Sequence, residues 1–148
     1  MARPVATEAI ERMVDDIESS LYGLGQSEVL AGPGYDLAVS GNHAYFLSRF
    51  AGLEILDVSD PASPTRLGFC PLDGDNRAIA VSGCFAYAYD SGGLRVVDVT
   101  NPANPVKRGH CSLSCSCFSG LTASGDYVYA ADGTSLYIID VSDPQTPC

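Results

Sequence analysis

Between His110 and Cys117 the run His110-Cys111-Ser112-Leu113-Ser114-Cys115-Ser116-Cys117 places three thiols and an imidazole within eight residues. Thiolate and imidazole are the ligands of zinc and of iron–sulfur centres, so His110, Cys111, Cys115 and Cys117 are the metal candidates of this chain. The spacings CxxxC and CxC lack the CxxC knuckle, and no second knuckle occurs. That favours disulfides or structural thiols over a bound cofactor. The disulfide candidates are Cys70, Cys84, Cys111, Cys115, Cys117 and Cys148. Six cysteines in 148 residues point to an oxidising compartment, outside the cell or at its surface, and leave the pairing open. Cys148 is placed to link chains.

Carboxylates form the second constellation. Asp57, Asp98 and Asp140 each precede an Asp-Pro or Asn-Pro turn, which invites a calcium reading. A single carboxylate at a strand end more often accepts the backbone N–H groups of its own turn, and that reading is preferred. Asp73, Asp75, Asp90 and Asp132 lie in connecting loops that could hold a cation or a sugar; solvated acidic loops are the expected state. Tyr45, Tyr87 and Tyr129 recur once per repeat, as residues that pack between repeats would. His43 and His110 have no nucleophile and carboxylate in an identifiable motif, and no GxSxG, P-loop or GxGxxG occurs. No enzymatic activity is expected.

The elements that carry these residues repeat. Tyr35-Asp36-Leu37-Ala38-Val39-Ser40-Gly41 recurs around Ser82 and Ser124, which with Ser40 are 42 apart. Each copy continues to Leu53-Glu54-Ile55-Leu56-Asp57, Leu94-Arg95-Val96-Val97-Asp98 or Leu136-Tyr137-Ile138-Ile139-Asp140. Leu37 and Val39, Ile79 and Val81, and Leu121 and Ala123 alternate with smaller or polar neighbours, predicting a strand A with one face more buried. Gly41-Asn42, Gly83-Cys84 and Gly125-Asp126 suit tight hairpins needing positive φ. Strand B carries the recurring tyrosine. Strand C is nearly unbroken apolar sequence, as befits cover on both faces. After the proline turn, strand D runs from Thr65 to Cys70 and from Val106 to Cys111. Four antiparallel strands in about 42 residues is the arithmetic of a β-propeller blade.

These residues carry a family resemblance. Gly52-Leu53-Glu54-Ile55-Leu56-Asp57-Val58-Ser59-Asp60-Pro61 and its two counterparts, each preceded by a Val-Ser-Gly or Ala-Ser-Gly turn, resemble the LVIVD repeat over Gly34 to Pro147. The resemblance implies a β-propeller and a surface or secreted location. It brings no catalytic signature.

The expected architecture is all-β, with three four-stranded blades and a short N-terminal α-helix. Residues 1–26 form an amphipathic helix and linker, with Ile10, Met13, Val14, Ile17 and Leu21 on one stripe. Residues 35–75, 76–117 and 118–148 are the three blades, the last without its outer strand. Residues 27–34 contain a strand, Ser27 to Ala31, that completes a blade. Three blades fall short of the roughly four to eight that surround a channel, so the exposed ends call for a partner. A two-fold dimer with six blades, a head-to-tail fibre, or a piece of a longer propeller would each cover them. The alternative to a structural role is a module that binds a glycan, a protein or Ca²⁺ through its loops. A formal charge of −10 with eight cations disfavours nucleic acid as a partner, and no apolar run approaches the roughly 18 residues of a membrane helix.

Overall fold

A computed structural model describes residues 32–113 and 118–148 of the chain. Strands β1 (Gly34–Ser40), β2 (His43–Ser48), β3 (Gly52–Asp57) and β4 (Thr65–Pro71) form one antiparallel sheet in chain order. A second is built in the same way from β5 (Ala78–Ser82), β6 (Phe85–Asp90), β7 (Gly93–Asp98) and β8 (Val106–Ser112). In the third, β9 (Gly120–Ser124), β10 (Tyr127–Ala131) and β11 (Leu136–Asp140) pair in the same order. No helix occurs among the described residues, and so none that is long and apolar enough to cross a membrane. The expected helix within residues 1–26 and the strand Ser27 to Ala31 lie outside the described residues. Gly34, placed by sequence in the completing segment, instead opens β1 and pairs with Ser48.

Local chemistry sets each blade. Gly41, Gly83 and Gly125 take φ of 58°, 57° and 57° while the residue that follows each does not, the signature of a type II′ hairpin whose twist matches the strands it joins. After strand C the aspartate caps its own turn. Asp57 Oδ1 accepts the Ser59 N–H at 2.8 Å, Asp98 Oδ1 that of Thr100 at 2.9 Å, and Asp140 Oδ1 that of Ser142 at 2.9 Å. The next turn closes in the same way, with Ser63, Asn104 and Thr146 donating to the carbonyls of Asp60, Asn101 and Asp143. Each capping aspartate thus accepts the donors of its own turn, the role preferred for these carboxylates from sequence.

Between neighbouring sheets lie the two apolar cores. Tyr45, Leu47, Leu53 and Ile55 of the first blade meet Ile79, Ala86, Ala88 and Val97 of the second. Tyr87, Leu94 and Val96 of the second meet Val128, Ala130, Ile139 and Val141 of the third. Tyr45 and Tyr87 are therefore inter-blade packing residues, whereas their counterpart Tyr129 belongs to neither core, and each buried branched side chain contributes about 1.5–3 kcal/mol. Inner strands β1, β5 and β9 lie side by side.

Two expectations are corrected. Strand C is covered on both faces in the first two blades but not in the third, where Leu136 and Ile138 are 65% and 61% exposed. Strand A of the first blade does not bury its apolar side either, since Leu37 and Val39 are 57% and 63% exposed. The cause is common to both: burial in this fold comes from the next sheet, and among the described residues these two faces have none.

Candidate functional site

The loop aspartates fall into different environments. Asp90 and Asp132 occupy the same place, at the hairpin that joins strands B and C. Asp90 Oδ1 accepts the N–H groups of Gly92 at 2.7 Å and Gly93 at 3.1 Å, and its other oxygen takes Arg95 Nε. Asp132 Oδ1 accepts Thr134 and Ser135 N–H at 2.8 and 2.7 Å, while Tyr137 Oη donates to Oδ2 at 2.9 Å. These hydrogen bonds hold the Asp132 carboxyl below its usual range. Asp75 is gripped by Arg49 Nε at 2.5 Å and Arg77 Nη2 at 2.8 Å, and the two guanidiniums lower its pKa to about 2. The expectation of solvated acidic loops thus fails for Asp90, which is buried, and for Asp75. It describes Asp73, 94% exposed with Lys107 Nζ at 3.9 Å.

Sequence reasoning missed Asn76. Its amide is fully buried and donates to the carbonyls of Ser48 at 3.2 Å, Arg49 at 3.1 Å and Leu72 at 3.5 Å. It ties the loop before β5 to the loop after β2. A lone Asn among turn-forming residues gives no sign of this, because two of its three acceptors are carbonyls 27 and 28 positions away. Phe118 is a second unread anchor. Its ring lies 4.3 Å from that of Tyr89 and 5.4 Å from that of Tyr137.

Cysteine chemistry is resolved in part. Cys111 and Cys148 form a disulfide, with Cα atoms 5.8 Å apart, inside the range such a bond spans without backbone movement. Cys148 therefore does not link chains as expected; it joins the second blade's outer strand to the third blade's turn. The bond also withdraws the Cys111 thiolate from the His110 cluster as a metal ligand. Cys115 and Cys117 lie outside the described residues, and among those described no three His, Cys, Asp or Glu side chains are grouped to hold an ion. Cys70 is a buried free thiol, its pKa raised by that burial, and Cys84 is exposed.

Two apolar faces are left uncovered among the described residues. Tyr127, Leu136 and Ile138 are exposed on the far face of the third blade, and Tyr35, Leu37 and Val39 on the near face of the first. By the repeat, Leu136 and Ile138 stand where Leu94 and Val96 stand in the second blade and Leu53 and Ile55 in the first, all four of which are fully buried. Among the described residues β11 has no strand on its outer edge. Beside that edge lies a cavity of about 300 Å³ lined by Cys111, Leu113, Tyr137, Ile138 and Ile139. A more polar hollow of about 380 Å³ opens where β1, β5 and β9 begin, between Tyr35, Asp36, Arg77 and Ser119.

The LVIVD repeat model matches residues 31–70, 73–112 and 119–148. Similar solved structures include two computationally designed proteins. The Ika4 protein is 15% identical, with a TM-score of 0.58 over 79% of this chain and 74% of its own. The Ika8 protein is 14% identical, with a TM-score of 0.59 over 80% of this chain and 36% of its own. At such identities the likeness speaks for the fold alone. No curated protein matches the chain.

Proposed function

The chain belongs to the LVIVD repeat family, and from that premise and its three propeller-like blades we propose a non-enzymatic structural protein that assembles with itself. One observation carries the reading. The far face of the third blade exposes Leu136 and Ile138, the counterparts of residues that are buried between blades elsewhere in the chain. The near face of the first blade exposes Leu37 and Val39, the counterparts of Ile79 and Val81, and both of these lie in or against the core between the first and second blades. A second copy can therefore repeat between molecules the contact already made twice within one. If two such contacts close, the product is a six-bladed dimer; if the rotation does not close, it is a head-to-tail polymer. In either, a strand from the N-terminal region of one copy completes the third blade of the other, which removes an open sheet edge. The disulfide supports a place outside the cell or at its surface.

Solution mass by light scattering or native mass spectrometry is the test. A discrete dimer or larger species at micromolar concentration is expected, converted to monomer in a Leu136→Asp/Ile138→Asp variant. A monomeric parent protein overturns the proposal.

The polar hollow at the start of the inner strands favours a second reading, a loop-face site for a glycan, a protein or Ca²⁺. Its test is a rise in Tm with a panel of oligosaccharides or with Ca²⁺. No rise with any of them sets that reading aside.

A further inference from the structure

Two neighbouring positions of strand B change size from blade to blade. On the far face stand Leu47, Tyr89 and Ala131, each directly across from the first leucine of strand C, Leu53, Leu94 or Leu136. On the near face stand Phe46, Ala88 and Ala130, across from Leu37, Ile79 and Leu121. Where blades meet within the chain, the far-face residue is large and the near-face residue is alanine. Leu47 and Ala88 share the core between the first and second blades. Ala130 belongs to the core between the second and third, where Tyr89 packs on Phe118. All four strand B residues are fully buried. A close-packed interface admits neither two large side chains at such a place nor two small ones.

The two uncovered faces carry the reverse pair. The third blade has Ala131 where Leu47 and Tyr89 stand, and in the same row Gly120 takes the place of Asp36 and Ala78. These two small residues leave an apolar hollow of about 280 Å³ on the far face, lined by Gly120, Leu121, Thr122, Tyr129, Ala131 and Leu136. A cavity of about 150 Å³ already accepts a benzene ring. The first blade, in turn, has Phe46 where Ala88 and Ala130 stand. Phe46 is half-buried, and its ring lies over Gly34, where a Cβ would run into it. Thus the far face with the smallest residue and the near face with the largest are the two that no blade covers among the described residues.

We infer that the Phe46 ring of one copy fills the Ala131 hollow of a second copy, which makes the far face of the third blade and the near face of the first a single size-matched contact. The inference rests on the assembly reading above and adds the residues that fix its partner and its register. A partner with alanine in place of Phe46 would leave the hollow empty. Pairing near face to near face would set two Phe46 rings against each other and leave both hollows open. The contact is the same in a two-copy ring and in a head-to-tail polymer.

Exchanging the sizes tests it. Phe46→Ala empties the hollow, and Ala131→Tyr opposes two large rings, so each variant alone should dissociate at a concentration about tenfold or more above the parent's. Sedimentation across a dilution series reads this, with far-UV circular dichroism and Tm as the check of folding. Mixed one to one, the two variants should assemble within about threefold of the parent. Every contact between unlike copies is then either the native one or a tyrosine with an alanine, as Tyr89 and Ala130 are combined between the second and third blades. The double variant Phe46→Ala/Ala131→Tyr should recover in the same way on its own. Absence of recovery in either overturns the contact, and if the parent assembles, the assembly reading survives that loss; a monomeric parent removes both. Where Phe46→Ala does not fold, Ala131→Tyr decides alone, because it alters a half-buried residue on an uncovered face. Dissociation of that variant within about twofold of the parent overturns the proposal.

Discussion

Asp98 shows how this protein uses its acidic residues. Its carboxylate is bonded by Thr100, whose backbone N–H lies at 2.9 Å, and by Arg108 at 2.8 Å; these bonds lower its pKa to about 2 from an ordinary 3.8. Asp75, between Arg49 and Arg77, is lowered equally. A carboxyl held below its unfolded value binds fewer protons in the folded state, so its contribution is present above about pH 4 and lost as pH falls toward 2. Urea midpoints should fall through that window. An Asp75→Asn/Asp98→Asn variant should show a shallower fall, and an unchanged slope would remove these groups from the account. Asn76 makes a sharper case, since its amide faces three carbonyl oxygens from a fully buried position. Asn76→Asp would turn acceptor oxygens toward those carbonyls when ionised and leave a single O–H donor when protonated, at a cost of about 3 kcal/mol. Urea unfolding at pH 7 checks it; a loss under about 1 kcal/mol would mean that water reaches the site.

At the scale of the element, the outer strand is the part most sharply specified. Gly109→Ala should destabilise by about 2 kcal/mol or more, because the methyl has backbone oxygen and proline ring on its path and the turn that holds them is itself hydrogen-bonded. Gly120, at the start of β9, has open space where a Cβ would stand and no positive φ. Gly120→Ala should stay within about 0.5 kcal/mol of the parent. Thermal or urea unfolding of the pair separates a steric seat from a general dislike of alanine in these strands; equal losses would discard the seat. The same contrast explains why Ser135 is tolerated where Gly52 and Gly93 are required. Among the described residues no outer strand presses on Ser135, whereas Gly52 and Gly93 lie against the backbone of Cys70 and Cys111.

Across the whole molecule, the Cys111–Cys148 bond closes a span of 37 residues containing nearly all of the third blade. Cross-linking that span in the unfolded chain should contribute about 4 kcal/mol, less any native strain. Cys148→Ser, or reduction of the parent, should lower the urea midpoint accordingly, and insensitivity to reductant would show that the third blade is held by its core alone. The bond was not readable in advance, because six cysteines in sequence carry no distances; only the packing of one blade's outer strand against the next blade's turn brings two of them within reach. Asp90 was misread for the same reason, since a loop aspartate looks alike whether Arg95 and two N–H groups surround it or water does. Asn76 gave no signal at all, two of its three partners being distant backbone carbonyls. What the sequence determined by itself was everything local and periodic: the II′ hairpins at Gly41, Gly83 and Gly125, the capped turns after Asp57, Asp98 and Asp140, and the blade-by-blade recurrence of Tyr45, Tyr87 and Tyr129, because turn chemistry and two-residue alternation act over a few bonds. What tertiary structure decided was which apolar faces are covered. Identical positions such as Leu94 and Leu136 differ in burial only because one has a neighbouring blade and the other has none among the described residues.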